Sequence, residues 1–136
     1  MTTYVLDTSA LFAYIEDEDG ANVIENVFLE TLMGQHTLYV SVVSCIEVYY
    51  ISFREQGPAI ASERLQLLQD LPLVQSPLEK QSITIIGELK ATHTLSFADC
   101  CIAGLAQAKG AVLIHKDPEF DQLPMLAQQK LPYKSP

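Results

Sequence analysis

Short β-rich runs recur along this chain, and the stretches between them carry apolar residues at helical spacing. TYVL (3–6), TLYVSV (37–42), a short run inside LPLVQSP (71–77) and AVLIHK (111–116) read as strands. A helix is predicted from about residue 8 to 16. The next, from about 21 to 33, spaces Val23, Val27 and Leu29–Met33 along one face and stops at Gly34. SCIEVYYISFREQG (44–57) reads as a helix closed by Gly57, with Pro58 opening the one that follows over 59–70. Pro77 opens another to about 91, and LSFADCCIAGLAQAKG (95–110) is a strongly apolar helix ending at Lys109–Gly110. DPEF (117–120) begins a short helical turn, and LPYKSP (131–136) reads as an edge strand or a loose end. Strands that alternate with helices demand a parallel sheet with helices on its faces. Ligand sites in such sheets gather beyond the carboxyl ends of the strands.

With 136 residues, 49% of them hydrophobic and 18% charged, the chain can fill a core without staples. Cys45, Cys100 and Cys101 make no disulfide framework and no CxxC spacing, and read as small buried hydrophobes in a reducing, cytoplasmic setting. No charged region precedes an apolar stretch at the N-terminus, and no apolar run approaches the roughly 18 residues that span a bilayer, so no membrane association is expected. The net charge of −9 argues, taken alone, against a nucleic-acid partner. It suits a protein that gathers cations or meets a basic protein.

Four acids sit where the predicted strands and helices meet: Asp7, Glu47, Asp99 and Asp117. Each has an ordinary explanation. Asp7 precedes a helix and suits its N-cap. SCIE (44–47) is formally a capping box of Ser44 and Glu47, and SFAD (96–99) is its shorter-armed version. Asp117 before Pro118 is another cap. Helix starts that follow parallel strands open on the same edge of the sheet, so the four carboxylates can converge. Convergent carboxylates raise one another's pKa, and a divalent cation relieves that repulsion. Oxygen-only donors select hard ions, Mg²⁺ or Mn²⁺. One such ion, or two about 3.5–4 Å apart, supports hydrolysis of a phosphodiester. Neither GxGxxG nor GxxxxGK[ST] is present to suggest other phosphate chemistry.

Around these acids several side chains carry two readings. Thr8 and Ser9 either cap the first helix or position a water at the metal. Glu119 and Asp121 either support the ligands or supply negative charge at a helix start. Arg54, Lys90, Lys109 and Lys116 could rim the site for phosphates, Lys116 being best placed beside Asp117, or be solvated lysines and arginine. The acidic run EDED (16–19) reads as a solvated loop. VYYISF (48–53) holds Tyr49, Tyr50 and Phe53, for a partner's groove or for the core.

Three blocks, YVLDTSAL, SVVSCIEVYYISFR and LSFADCCIAGLAQAKGAVLIHKDPEF, follow one another over nearly the whole chain. In this order and at these separations the sequence resembles the PIN-domain family, and more narrowly its VapC-type toxin ribonucleases. The resemblance implies one PIN-like domain over residues 1–136, a three-layer α/β/α sandwich with a central, mostly parallel sheet. It implies Mg²⁺- or Mn²⁺-dependent cleavage of single-stranded RNA, often tRNA, with Asp7, Glu47, Asp99 and Asp117 matching the metal-binding acids. It further implies a homodimer and a cognate antitoxin that wraps the toxin and can place a basic side chain in the acidic pocket. One position departs from the pattern: His115 stands where the family usually has threonine or serine. It is either a tolerated strand-end residue with a satisfied hydrogen bond, or a phosphate contact or proton donor. His36 and His93 lie outside the blocks and read as surface residues. A processing nuclease without a toxin role, a PIN-like module that binds without cleaving, and a phospho-acceptor domain built on Asp7 are the alternatives. The last lacks the paired acids it needs beside the first strand.

Overall fold

The computed structural model describes residues 2–134. Five strands, β1 (Thr2–Leu6), β2 (His36–Ser41), β3 (Val74–Ser76), β4 (Val112–His115) and β5 (Gln128–Lys130), form one sheet in the order β3-β2-β1-β4-β5. Every pairing is parallel. The helices are α1 (Thr8–Ile15), α2 (Ala21–Leu32), α3 (Val42–Gln56), α4 (Pro58–Asp70), α5 (Ile83–Thr92) and α6 (Phe97–Lys109). Short 3-10 turns cover Lys80–Ser82 and Pro118–Gln122.

The side-chain period of two divides this sheet into two cores. Leu6 and Ile114 face one side, where Leu11, Ile24, Phe28 and Val48 pack from α1, α2 and α3. Val5 and Leu113 face the other, where Leu89, Ile102 and Ala103 pack from α5 and α6. Neighbouring residues of one strand thus feed opposite layers, which makes the three-layer α/β/α sandwich that the sequence led us to expect. The sheet is all-parallel. Each fully buried aliphatic side chain contributes about 1.5–3 kcal/mol, so the central strands β1 and β4 anchor both layers.

Three local expectations change. The α3 cap is Ser41, whose hydroxyl accepts from the Val43 N–H at 3.1 Å. Ser44 lies inside the helix, buried, so SCIE is not a capping box and Glu47 sits in the second turn rather than at the start. Pro77 opens no helix: an extended link and the 3-10 turn precede α5, which begins at Ile83. The edge strand is Gln128–Lys130, just before LPYKSP, and the Leu131 N–H donates to the His115 carbonyl at 2.8 Å. Among the described residues no helix is long and apolar enough to cross a membrane.

Candidate metal centre

The carboxyl ends of β1 and β4 meet the first turns of α1, α3 and α6 on one edge of the sheet. Asp7 continues β1 there: its N–H donates to the Ile114 carbonyl at 3.0 Å, and its Oδ2 caps α1 by accepting from the Ser9 N–H at 3.0 Å. The Ser9 hydroxyl also bonds Oδ2. The other oxygen, Oδ1, is buried without a hydrogen-bond partner. Capping therefore uses one oxygen of Asp7 and leaves the second to the cluster.

Glu47 is reached from α1, since Thr8 Oγ1 donates to its Oε1 at 2.7 Å. Asp99 stands in the first turn of α6, its N–H capped by Ser96 Oγ at 3.1 Å. Asp117 caps the turn Pro118–Gln122 by accepting from the Glu119 N–H at 2.9 Å. One carboxylate oxygen each of Asp99, Asp117 and Glu119 lie within 4.8 Å of one another. The electrostatics join the remaining two acids to this group. Burial pushes the Asp99 carboxyl up to about 7, with the Asp7, Asp117 and Glu47 charges adding to the rise. Burial likewise pushes Asp7 up to about 6, against the two Ser9 hydrogen bonds and with the Asp117 and Glu47 charges adding.

An unpartnered buried carboxylate oxygen is costly, and so is mutual repulsion among four acids. Both costs are relieved by a cation at this point, and a donor set of carboxylate oxygens fits Mg²⁺ or Mn²⁺. Asp7, Glu47, Asp99 and Asp117 are the side chains that would hold it, with Glu119 beside them.

The accessory residues separate. Ser9 joins two strand ends: its Oγ accepts from the Lys116 N–H at 2.8 Å and bonds Asp7. Asp121 is paired with Lys130 at 2.6 Å and accepts from Tyr133 OH at 3.1 Å, and it is not among the acids whose oxygens gather with Asp99 and Asp117. His115 is fully buried, and the Asp117 N–H donates to its Nδ1 at 3.1 Å. The proton then resides on Nε2, which donates to Gln128 Oε1 at 2.8 Å. Burial lowers its pKa and keeps the ring neutral. His115 is the satisfied strand-end residue; the phosphate contact and proton donor are ruled out by its burial.

The expected basic rim is also corrected. Lys109 lies over the Tyr39 ring at the far end of α6, ten residues and about 15 Å of helix from Asp99. Lys90 donates to the Leu95 carbonyl at 2.7 Å, and Arg54 lies 4.9 Å from the centre of the Tyr50 ring. Lys116 is buried and bound to the Asp19 carbonyl, which also makes EDED more than a solvated loop. His36 is half-buried against Glu30 and Tyr4 rather than free at the surface. Beside Asp117 opens a groove of about 320 Å³ lined by Phe12, Ile51, Glu16, Glu18, Glu55 and Lys134 among others. On the adjoining α3, Ile46, Tyr50 and Phe53 are exposed. Cys45, Cys100 and Cys101 are free and buried, and burial raises each thiol's pKa.

An all-parallel α/β/α layer structure with a cluster of acidic side chains at the carboxyl edge of its sheet defines a class of protein. The PIN domain family model matches residues 4–125, and the chain belongs to the PIN domain family. Its fold is shared with solved VapC-containing assemblies. The Rickettsia felis VapBC2 structure, bound to a promoter DNA fragment, is 19% identical over 96% of this chain and 100% of that one, with a TM-score of 0.78. DNA-bound VapBC from Salmonella typhimurium is 19% identical over 96% and 98%, also at 0.78. VapC20 from Mycobacterium tuberculosis, described as a Sarcin-Ricin loop cleaving toxin, is 15% identical over 89% and 95%, at 0.67. No match was found among curated protein sequences.

Proposed function

We propose that this chain is a metal-dependent endoribonuclease, the toxin of a type II toxin–antitoxin pair. The observation that carries the reading is the carboxylate cluster, above all the buried, unpartnered Oδ1 of Asp7 in a group where burial and neighbouring acids push the Asp7 and Asp99 carboxyls up. A bound Mg²⁺ or Mn²⁺ supplies polarisation of the phosphoryl group and an activated water. The residues of this chain supply its seat. Thr8 orients Glu47, Ser9 orients Asp7, and the helix starts at α1 and α6 add partial positive charge beside the scissile phosphate. With Lys90, Lys109 and Lys116 engaged elsewhere, RNA binding leans on the cation, and recognition rests on RNA shape more than on charge. That one fold neighbour is a Sarcin-Ricin loop cleaving toxin supports RNA as substrate, tRNA included among the candidates.

Antitoxin binding is the second part of the proposal. The neighbours include VapBC and FitAB assemblies. The groove beside Asp117 holds Glu16, Glu18 and Glu55 over an apolar Phe12–Ile51 floor, which suits an amphipathic basic segment. A homodimer is supported by a separate apolar hollow of about 470 Å³, lined by Leu78, Ile83, Ile86 and Phe97, three of which are more than half exposed. A cytoplasmic site of action, where RNA and thiols are both available, goes with this reading. The toxin role is tested by induced expression in a bacterial host. Growth arrest that Asp7→Asn abolishes supports it. Unchanged growth with soluble wild-type protein, in a host lacking any antitoxin, leaves a processing nuclease or a non-cleaving PIN-like module.

A further inference from the structure

Lys116 lies between the two residues that shape the last corner of the site, His115 and Asp117, and it is only 8% exposed. Its ammonium donates to the Asp19 carbonyl at 2.8 Å and stands 3.8 Å from Glu18 Oε1. The turn between α1 and α2 is shaped to present those acceptors. Asp17 and Gly20 both take the left-handed conformation, at φ 50° and 99°. A Cβ on Gly20 would meet Leu131 Cβ at 3.0 Å, so the turn lies against the chain's last segment with no room to spare. Glu18 Oε2 is in turn held by Lys134 at 2.6 Å.

The backbone of the same residue is fixed from the other side. Its N–H donates to Ser9 Oγ at 2.8 Å, and that hydroxyl bonds Asp7 Oδ2. Burying an ammonium is costly unless it is paired and hydrogen-bonded. Were neutralisation of the acids its purpose, Lys116 would pair with Asp7 or Asp117. Among the described residues its one ion pair is with Glu18. The charge is carried away from the cluster and used as an anchor.

We propose that Lys116 is a positioning residue. Clamped by Asp19 and Glu18 at its tip and by Ser9 at its N–H, it fixes the β4 corner so that Asp117 and Asp7 keep the separation a divalent cation needs. This rests on the metal-centre reading above. Charge and clamp predict opposite signs. A lysine acting only as a nearby positive charge repels the cation, so its removal would tighten Mn²⁺ binding. A clamp lets the corner relax when removed, and binding weakens.

The test is Mn²⁺ titration followed by electron paramagnetic resonance, with amide exchange of the metal-free protein, in wild type, Lys116→Met, Glu18→Gln and the double variant. The clamp predicts about tenfold weaker Mn²⁺ binding in Lys116→Met, as for other residues that orient ligands. It predicts faster exchange at the Asp117 and Glu119 amides, and a double variant as weak as Lys116→Met, because Lys116→Met already removes the Glu18 contact along with the Asp19 one. Charge alone predicts a double variant close to wild type. Tighter or equal binding in Lys116→Met, with unchanged exchange, overturns the proposal. If Lys116→Met does not fold, Lys116→Gln, too short to keep the Asp19 and Glu18 contacts, decides: unaltered exchange at Asp117 there overturns the clamp as well. Wild type that binds no Mn²⁺, while exchange responds as expected, refutes the metal reading and leaves the corner clamp standing.

Discussion

Thr8 Oγ1 donates a 2.7 Å hydrogen bond to Glu47 Oε1, joining residues 39 positions apart and tying the first turn of α1 to α3. Without it, Glu47 is a half-buried carboxylate on a flexible stem, free to turn outward. Thr8→Val keeps the shape and removes the donor. RNA cleavage is expected to fall about tenfold, as for other residues that orient metal ligands, while stability changes by about 1 kcal/mol. Steady-state cleavage rates beside thermal melting check both halves.

The acidic cluster should destabilise the metal-free protein at neutral pH. Asp99 and Asp7 titrate near 7 and 6 when folded and near 4 when unfolded. The folded state therefore binds the extra protons between about pH 4 and 7, and stability falls as pH rises through that window. Asp99→Asn removes part of the penalty. Because Asp99 is partly exposed, the expected gain is about 1 kcal/mol, or roughly 3 °C in melting temperature at pH 8 in EDTA. The gain should shrink as pH falls through the window and vanish below about pH 4.

Cation binding should follow the same groups with the opposite dependence. A proton and a metal compete for each carboxylate, so affinity falls as pH drops. With Asp99 near 7 and Asp7 near 6, Mn²⁺ binding should weaken about twentyfold from pH 8 to pH 6. Calorimetric titration at the two pH values measures it. A pH-independent affinity would mean that neither acid is a ligand.

His115 should matter for stability and not as a proton donor. His115→Leu leaves the Asp117 N–H and Gln128 Oε1 without their partner inside the protein. A loss of about 2–4 kcal/mol is expected, read by urea unfolding. Cleavage by the wild type should show no inflection belonging to a histidine near pH 6.5, since this ring stays neutral.

Which parts of this were legible in the sequence follows from how local each feature is. The alternation of strands and helices, and acids placed directly after strands, put Asp7 and Asp117 on one edge without any tertiary information. Glu47 reads as part of a capping box at a helix start, and it lies in the second turn of α3 instead. Ser41 and Ser44 both look like caps in SVVS, and only the end of β2, where Ser41 pairs with Ser76, decides between them. Lys116 was misplaced because its partners lie 97 positions away in a turn whose acceptor is a backbone carbonyl, which no side-chain pattern announces. Asp121 and Lys109 are claimed by side chains of other elements, Lys130 on β5 and the Tyr39 ring on β2. His115 carried two readings until Gln128 arrived from β5 to fix its tautomer.

The most direct measurement is cleavage of a mixed tRNA and mRNA pool by the purified protein, with Mg²⁺, with Mn²⁺ and with EDTA, beside Asp99→Asn. Defined cuts with either metal, absent in EDTA and lost by at least about a hundredfold in Asp99→Asn, are expected of a ligand carboxylate. Folded, partner-free protein that cuts nothing with either metal, or that cuts equally well as Asp99→Asn, would contradict the metal-dependent nuclease and leave Asp7, Asp99 and Asp117 as residues of the helix starts.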